Sequence, residues 1–542
     1  MITGDIKKID LSISSFERMI TEGYLYVDKT RMIEHFLNFT SSVQLIARQR
    51  RLGKSLNMDM LRCFLTDTKD YRHLFKGLYI ESSPMWDKAH TGPVFSFDFK
   101  TLTAESYKAQ IIGQTYKNIS TIVDPDTLKG YLKHQFDNLI NNPDMASDSL
   151  LILTEIAYKV TGKRSYLLID EYDKLLMYHY DKEQYEEIRS FKAALLSAGL
   201  KGNQYLEKAL LTGVMRISHE SILSGLNNIV TFDVFRDEIY TEDYGLTEEE
   251  IKELNKKADF EIDEMRAWYN GVKVSGKEIY NTYSVMSYLA RGEYDCYWGK
   301  SGTLEMIINL LNDHRKLTLT KLLNGEQLKI EMDNRISLQQ LSSESGDGAF
   351  YSLLAQAGYL SIDEKHLQGT ALVSIPNREL VIVWKNFIVN RLYTNASQAR
   401  TLFDNADNPE EFAKDIEYFL QDRLSYYDLA VYKGEDRERV QERIYHIYLL
   451  GILSAYEDIR CRYPLTNRES GAGRYDILVE KPNANFIFEL KSCSTEDELE
   501  KKAKEALEQI EAKRYGVDIG EAKRLVKIGI AFYDKMCKVK CG

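Results

Sequence analysis

Long apolar runs are missing from this 542-residue chain: the longest, Ile444 to Tyr456, is interrupted by His446, Gly451 and Ser454. That falls short of the roughly 18 residues a membrane span needs. The opening MITGDIKKID has no apolar stretch of the kind a secretory signal carries. Proline is scarce, at 8 residues beside 31 glycines, which excludes collagen-like and proline-rich low-complexity classes. The six cysteines, at 63, 296, 461, 493, 537 and 541, form no CxxC pair, so they supply neither a disulfide framework nor a zinc ribbon. Positive charge is short as well: 71 Lys and Arg against 82 Asp and Glu give a net charge of −11. Nucleic acid is therefore not bound by bulk attraction, although a local basic site is compatible with this balance. No repeat at solenoid periods is present. The expectation is a soluble cytoplasmic protein, with no membrane partner, and the length prior of about 150 residues per domain gives two to four domains.

Up to about residue 235 short apolar runs alternate with longer helical patterns, the signature of a mostly parallel α/β sheet. The strand candidates are Val43–Ala47, Val94–Phe99, Tyr166–Ile169 and Ala209–Thr212. A helix is predicted from the Thr247 to Glu250 capping box. Residues 236–400 read as a helical or winged-helix region, with a hairpin around Tyr359–Asp363 and Ala371–Ile375. Residues 401–542 form a third unit, opened by Asn408, Pro409 and two acidic first-turn residues. There, helix Arg437–Tyr456 leads through a loop, RYPLTNRESGAG, into two β runs, a helix capped by Thr495 and Glu498, and a final strand, Val526–Phe532.

The segment Val43 to Ser55 is an apolar strand, a loop and the start of an apolar-periodic helix. That is the setting in which GxxxxGK[ST] cradles phosphate: loop amides face the anion, lysine adds charge, and Ser or Thr ligates magnesium. Gly53, Lys54 and Ser55 match, whereas Arg48 stands where the motif has its first glycine. Arg48, Arg50, Arg51 and Lys54 together favour an anion; the alternative is a merely basic strand-to-helix turn. A second apolar strand ends in Asp170 and Glu171, the pair that a magnesium-organising aspartate and a water-activating glutamate require. A third ends at Thr212, placed to sense a γ-phosphate, with Arg216 close behind.

In NFIFELK, period-two alternation puts Ile487, Glu489 and Lys491 on one face and Phe486, Phe488 and Leu490 on the other. With KPNA as the turn, Glu480 lies opposite Asn485 and, four residues further along each strand, Asp476 lies opposite Glu489. Opposed carboxylates on a strand pair repel unless a cation joins them. Magnesium suits two carboxylates, and Lys491 would orient or deprotonate the attacking water or stabilise phosphorane charge. The alternative is a solvated hairpin face holding an ordinary salt bridge.

The D476…E489-L-K491 pattern, preceded by a helix with Glu442 and followed by one with Gln509 and Tyr515, resembles the PD-(D/E)XK nuclease superfamily. YVDKT, RRLGKSLNMDML, LLIDEYDK, LTGVMRISHESILSGLNN, WYNG, IPNRE and NRESGAGRYDIL together resemble a bacterial family that joins an AAA-ATPase-like domain to such a nuclease. The resemblance implies ATP binding through Lys54 and Ser55, with Asp170 and Glu171 at the magnesium and water positions. It also implies metal binding by Asp476 and Glu489, with Lys491 catalytic, Glu442 as a further acidic ligand, and Gln509 and Tyr515 as supporting groups or parts of a polar helix face. DNA is the expected substrate; a nucleotide-switched regulatory or docking protein without hydrolysis is the alternative. Tyr26–Thr30 reads as a strand end and helix cap or a pocket wall, His446 as a core histidine, Trp268–Gly271 as a packed turn, and Cys537 and Cys541 as sharing a helix face.

Overall fold

The computed structural model describes the chain apart from residues 181–182, 217–227, 299–305, 308, 324, 334–340, 342–345, 367–368, 385–407, 424–444, 447–448, 450–461, 471–472, 481–483, 516–523 and 534–535. It divides into two compact units, Met1–Leu310 with Gln327–Leu380, and Leu311–Glu326 with Val381–Gly542.

The first unit is built on a parallel sheet of β1 (Val43–Ala47), β2 (Val94–Asp98), β3 (Ser165–Asp170), β4 (Leu206–Gly213) and β5 (Ile229–Phe232), in the order β2-β3-β4-β1-β5. All five residues of β1 are buried, because a parallel strand covered on both faces must be apolar throughout. The order inserts β4 between β1 and β3, so three strand ends converge: the loop after β1, Asp170 ending β3, and Thr212 near the end of β4. Helix α1 (Lys54–Leu65) begins at Gly53, whose φ of 84° lies in the left-handed region that glycine enters at least cost. Helix α2 (Glu248–Ala258) starts at the expected capping box, both Thr247–Glu250 bonds being present. Further on are α3 (Thr282–Arg291), capped by Asn281, and an antiparallel sheet of β6 (Leu328–Glu331), β7 (Ser361–Lys365) and β8 (Thr370–Ser374) in the order β6-β8-β7.

The second unit holds helix α4 (Pro409–Arg423) and a mixed sheet of β9 (Arg462–Ser470), β10 (Gly473–Glu480), β11 (Ala484–Ser492), β12 (Arg524–Tyr533) and β13 (Met536–Cys541), in sequential order. Only β11 and β12 run parallel, and helix α5 (Leu499–Ala512) makes the crossover between them. Phe486, Phe488 and Leu490 pack with Phe412, Ile416 and Leu420 of α4 on one face. On the other, α5 lies so close to β12 that a Cβ at Gly529 would stand 2.4 Å from Leu507 N, so only glycine fits there.

Three expectations need correction. RYPLTNRES is a β-strand rather than a loop. Cys537 and Cys541 lie on β13, where even spacing gives them one face of a strand, not of a helix. Glu498 accepts the Ser494 amide at 3.0 Å, and Thr495 caps without a side-chain bond, so that capping box does not form.

Candidate functional site

The phosphate loop follows β1 and is fixed by its carbonyls. Lys54 Nζ donates to Arg48 O and Gln49 O, both at 2.8 Å. Asn281 Nδ2 donates to Arg50 O at 3.4 Å, Tyr283 N to Arg51 O at 3.3 Å, and Gly245 N to Leu52 O at 3.1 Å. Five consecutive carbonyls are thus engaged by the protein, which is what an anion-receiving loop needs, since the repulsive oxygens are occupied elsewhere. Gly53, Lys54, Ser55, Asp170 and Glu171 line one cavity of about 650 Å³, within the range of small-molecule sites. Tyr26, Val27 and Lys29 line it too, and Thr30 also accepts a position as helix cap, so both readings of that segment hold.

Ser55 Oγ donates to Asp170 Oδ2 at 2.5 Å, and Thr212 Oγ1 donates to Asp170 Oδ1. The three strand ends singled out by sequence therefore meet at one carboxylate. Glu171 follows with φ 50°, a left-handed conformation that costs a non-glycine residue about 1 kcal/mol and that gathers at functional positions. Burial raises its pKa, as does the neighbouring Asp170 charge, while Arg50 and Lys54 oppose the rise. Burial pushes the Lys54 amine down to about 8, against the opposite pull of Asp170. Arg216 is absent from the cavity wall; its backbone amide donates to Gln356 Oε1 at 2.9 Å and its charge bears on Asp233.

Arg48 does not serve the anion as its charge suggests. Its guanidinium is buried and donates to the Asp237 carboxylate, away from the cavity. Arg51 adopts φ 70°, and its guanidinium lies over the Tyr283 ring, 3.9 Å from the centroid.

In the second unit the β10–β11 register places Glu480 opposite Asn485 and Ile477 opposite Phe488, as the turn predicts. One residue beyond the last pair, Asp476 Oδ2 accepts the Leu490 amide at 2.7 Å, so a carboxylate replaces the main chain beside Glu489. Glu489 is 5% exposed and accepts a bond from Gln509 Nε2, while Gln509 Oε1 accepts from Lys491 Nζ at 2.8 Å. One amide thus holds the glutamate and the lysine in a fixed relation. His446 Nε2 lies 3.0 Å from Asp476 O, which makes it a hydrogen-bonded histidine near the site. Tyr515 is buried with Tyr475, Leu478, Ile487 and Ile510, so its ring packs against the strands that carry the site. Glu442 lies outside the described residues. Among the described residues no cluster of three His, Cys, Asp or Glu side chains stands ready for a metal. Asp476 accepts from the Leu490 backbone amide and Glu489 from the Gln509 side-chain amide, and two such hard oxygen donors suit a hard divalent cation.

Sequence reasoning passed over Tyr283 and Glu379. Asn281 before an apolar-periodic run is an N-cap signal that could have located α3, and the IPNRE segment contains Glu379. That carboxylate, 2% exposed, accepts the Tyr297 and Trp298 amides at 2.7 Å each and, at 2.8 Å, the Oγ of Ser284, the residue next to the tyrosine that holds the loop. Trp268 and Tyr269 end a helix, Ile262–Tyr269, rather than form a turn, and the close packing lies just beyond it, where a Cβ at Gly271 would stand 1.5 Å from Ile279 O.

Residues 10–223 match the family described as Predicted AAA-ATPase, and residues 440–541 match the PD-(D/E)XK nuclease superfamily. The chain therefore carries an AAA-ATPase-like segment followed by a PD-(D/E)XK nuclease segment. It is 29% identical over 367 residues to an uncharacterized protein in the vnfD 5′ region of Azotobacter chroococcum mcd 1. That alignment covers 66% of this chain and spans 64% of the relative's length. A solved STAND signal transduction ATPase with a tetratricopeptide repeat sensor, from Pyrococcus horikoshii, aligns at 15% identity over 79% of this chain and 55% of that one, with a TM-score of 0.27. So low a score transfers nothing from that protein. No helix among the described residues is long and apolar enough to cross a membrane.

Proposed function

We propose that this is a cytoplasmic bacterial enzyme that cleaves DNA phosphodiester bonds with magnesium under the control of ATP. Residues 1–235 would bind nucleotide, 236–400 act as a helical lid and winged-helix-like region, and 401–542 hold the nuclease. The observation that carries the reading is Gln509, which ties Glu489 to Lys491 beside the Asp476 carboxylate. A docking surface has no use for a carboxylate pair and a lysine held in register; hydrolysis has. Magnesium, held by Asp476 and Glu489 with Glu442, would polarise the phosphodiester. Lys491 then offsets the negative charge that develops as water adds at phosphorus and an ester oxygen leaves, and Gln509 keeps its amine aimed there. In the front unit Lys54 and the loop amides bind phosphate, Ser55 and Asp170 would hold a second magnesium, Glu171 orients water, and Thr212, bonded to Asp170, responds to the γ-phosphate, whereas Arg216 would have to move to reach it.

The second reading, a nucleotide switch without hydrolysis, rests on Arg48 and Arg51 in place of flexible loop residues. The test is magnesium-dependent cleavage of linear, circular and single-stranded DNA by the intact chain and by folded Asp476→Ala and Lys491→Ala proteins. Cleavage lost in both variants supports the nuclease; unchanged cleavage removes the assignment.

A further inference from the structure

Four cations crowd the phosphate loop, and three are already committed. Arg48 is buried against Asp237, Arg51 lies over Tyr283, and Lys54 Nζ bonds two loop carbonyls. Arg50 combines two features: it lines the cavity, as Arg51 and Lys54 also do, and its Nε, like that of Arg48 outside the cavity wall, is buried without a hydrogen-bond partner among the described residues. A buried donor left unmade is costly, and a charged one more so, so the site holds an unused guanidinium in the place where an anion enters.

We propose that Arg50 is a cis-acting ligand of the terminal phosphate and the residue that distinguishes nucleoside triphosphate from diphosphate in this cavity. This rests on the nucleotide-binding reading of the same cavity. Three observations converge on it. The backbone of Arg50 is pinned, its carbonyl receiving Asn281 Nδ2 at 3.4 Å, so the side chain springs from a fixed point. Arg50 and Glu171 line the same cavity, and the Arg50 charge opposes the rise in the Glu171 pKa. Lys100 and Lys174 line the cavity too, and Lys174 Nζ is engaged by Lys100 O at 2.6 Å. A guanidinium donates in a planar fork suited to phosphate oxygens, so arginine rather than a second lysine fits the role. Arg48 is drawn into the core, and Arg50 supplies the second positive charge beside Lys54.

The experiment is calorimetric titration of the intact chain with magnesium and either a non-hydrolysable ATP analogue or ADP, for the unaltered protein, Arg50→Gln, Arg50→Lys and Lys54→Ala. The expected result is that Arg50→Gln weakens the triphosphate analogue by at least about tenfold, the scale of one hydrogen bond to a charged group, and ADP by less than about threefold. Arg50→Lys should fall between the unaltered protein and Arg50→Gln. Equal losses for the two nucleotides, or no loss, in either folded variant would overturn the proposal while leaving the site intact, provided Lys54→Ala loses both. An unaltered protein that binds neither nucleotide would overturn the site and the proposal together.

Discussion

The Arg48 guanidinium donates to the Asp237 carboxylate where the two side chains are 1% and 0% exposed. An arginine at the first glycine position of a phosphate loop is thus explained by the core, because β1 ends by sending that side chain inward while its amide bonds Gly213 O at 3.0 Å. Restoring glycine should therefore harm the protein. Arg48→Gly strands a buried carboxylate, and the expected loss is about 3 kcal/mol with no gain in nucleotide affinity. Thermal or urea unfolding beside an ATP titration would check both parts; a stable variant that binds ATP more tightly would refute them.

Lys54 gives the nucleotide site a pH limit. Its pKa is held down to about 8, so above that pH the free protein presents a neutral amine to an anion. ATP affinity should be flat below pH about 8 and weaken as pH rises beyond it, by up to about tenfold per unit until the bound-state pKa is reached. Titrations at pH 7 and pH 9 decide it, and equal affinities would show that Lys54 does not meet the phosphates.

Glu379 should act on stability rather than on affinity. Burial raises its pKa to about 7 from 4.5, so between those values the folded chain holds a proton that the unfolded chain has released, and stability falls as pH rises through that window. Glu379→Gln keeps an acceptor for the Tyr297 and Trp298 amides and can donate to Ser284. The unaltered protein should lose on the order of 1–3 kcal/mol between pH 5 and 7.5 relative to the variant. Melting curves of the pair across that range test it; a constant difference in melting temperature would contradict it.

Gln509 is the tie between Glu489 and Lys491. Gln509→Ala should leave the fold intact, as α5 is anchored by Ala503, Ala506 and Ile510, yet reduce metal-dependent cleavage by about 10–100-fold, as loss of a supporting hydrogen bond to a metal ligand does. Cleavage rates against magnesium concentration measure this, and an unchanged rate would reduce Gln509 to a packing residue.

The parts of the fold legible in sequence are those with one dominant signal. Val43–Ala47 and Ser165–Asp170 read as strands because buried parallel strands are apolar throughout. The β10–β11 register followed from turn length alone. β9 was hidden because it carries Pro464 and polar residues; among the described residues it pairs with β10 alone, and its register shifts between Arg462 and Leu465, the edge position and irregularity at which proline is tolerated. Long-range partners were hidden for a different reason. No local pattern tells that Arg48 meets Asp237, 189 residues away, or that Tyr283 and Asn281 hold the phosphate loop. Sequence named the reactive side chains, and tertiary contacts decided which charges were available to a ligand.

The most direct measurement is DNA cleavage by the intact chain in magnesium, with and without ATP, comparing the unaltered protein with Lys54→Ala and Asp476→Ala. The expected outcome is cleavage that requires Asp476 under every condition and that changes with ATP only when Lys54 is present. Cleavage that persists in Asp476→Ala, or none in the unaltered protein under any condition, would contradict the nuclease; cleavage indifferent to ATP and to Lys54 would contradict its control by nucleotide.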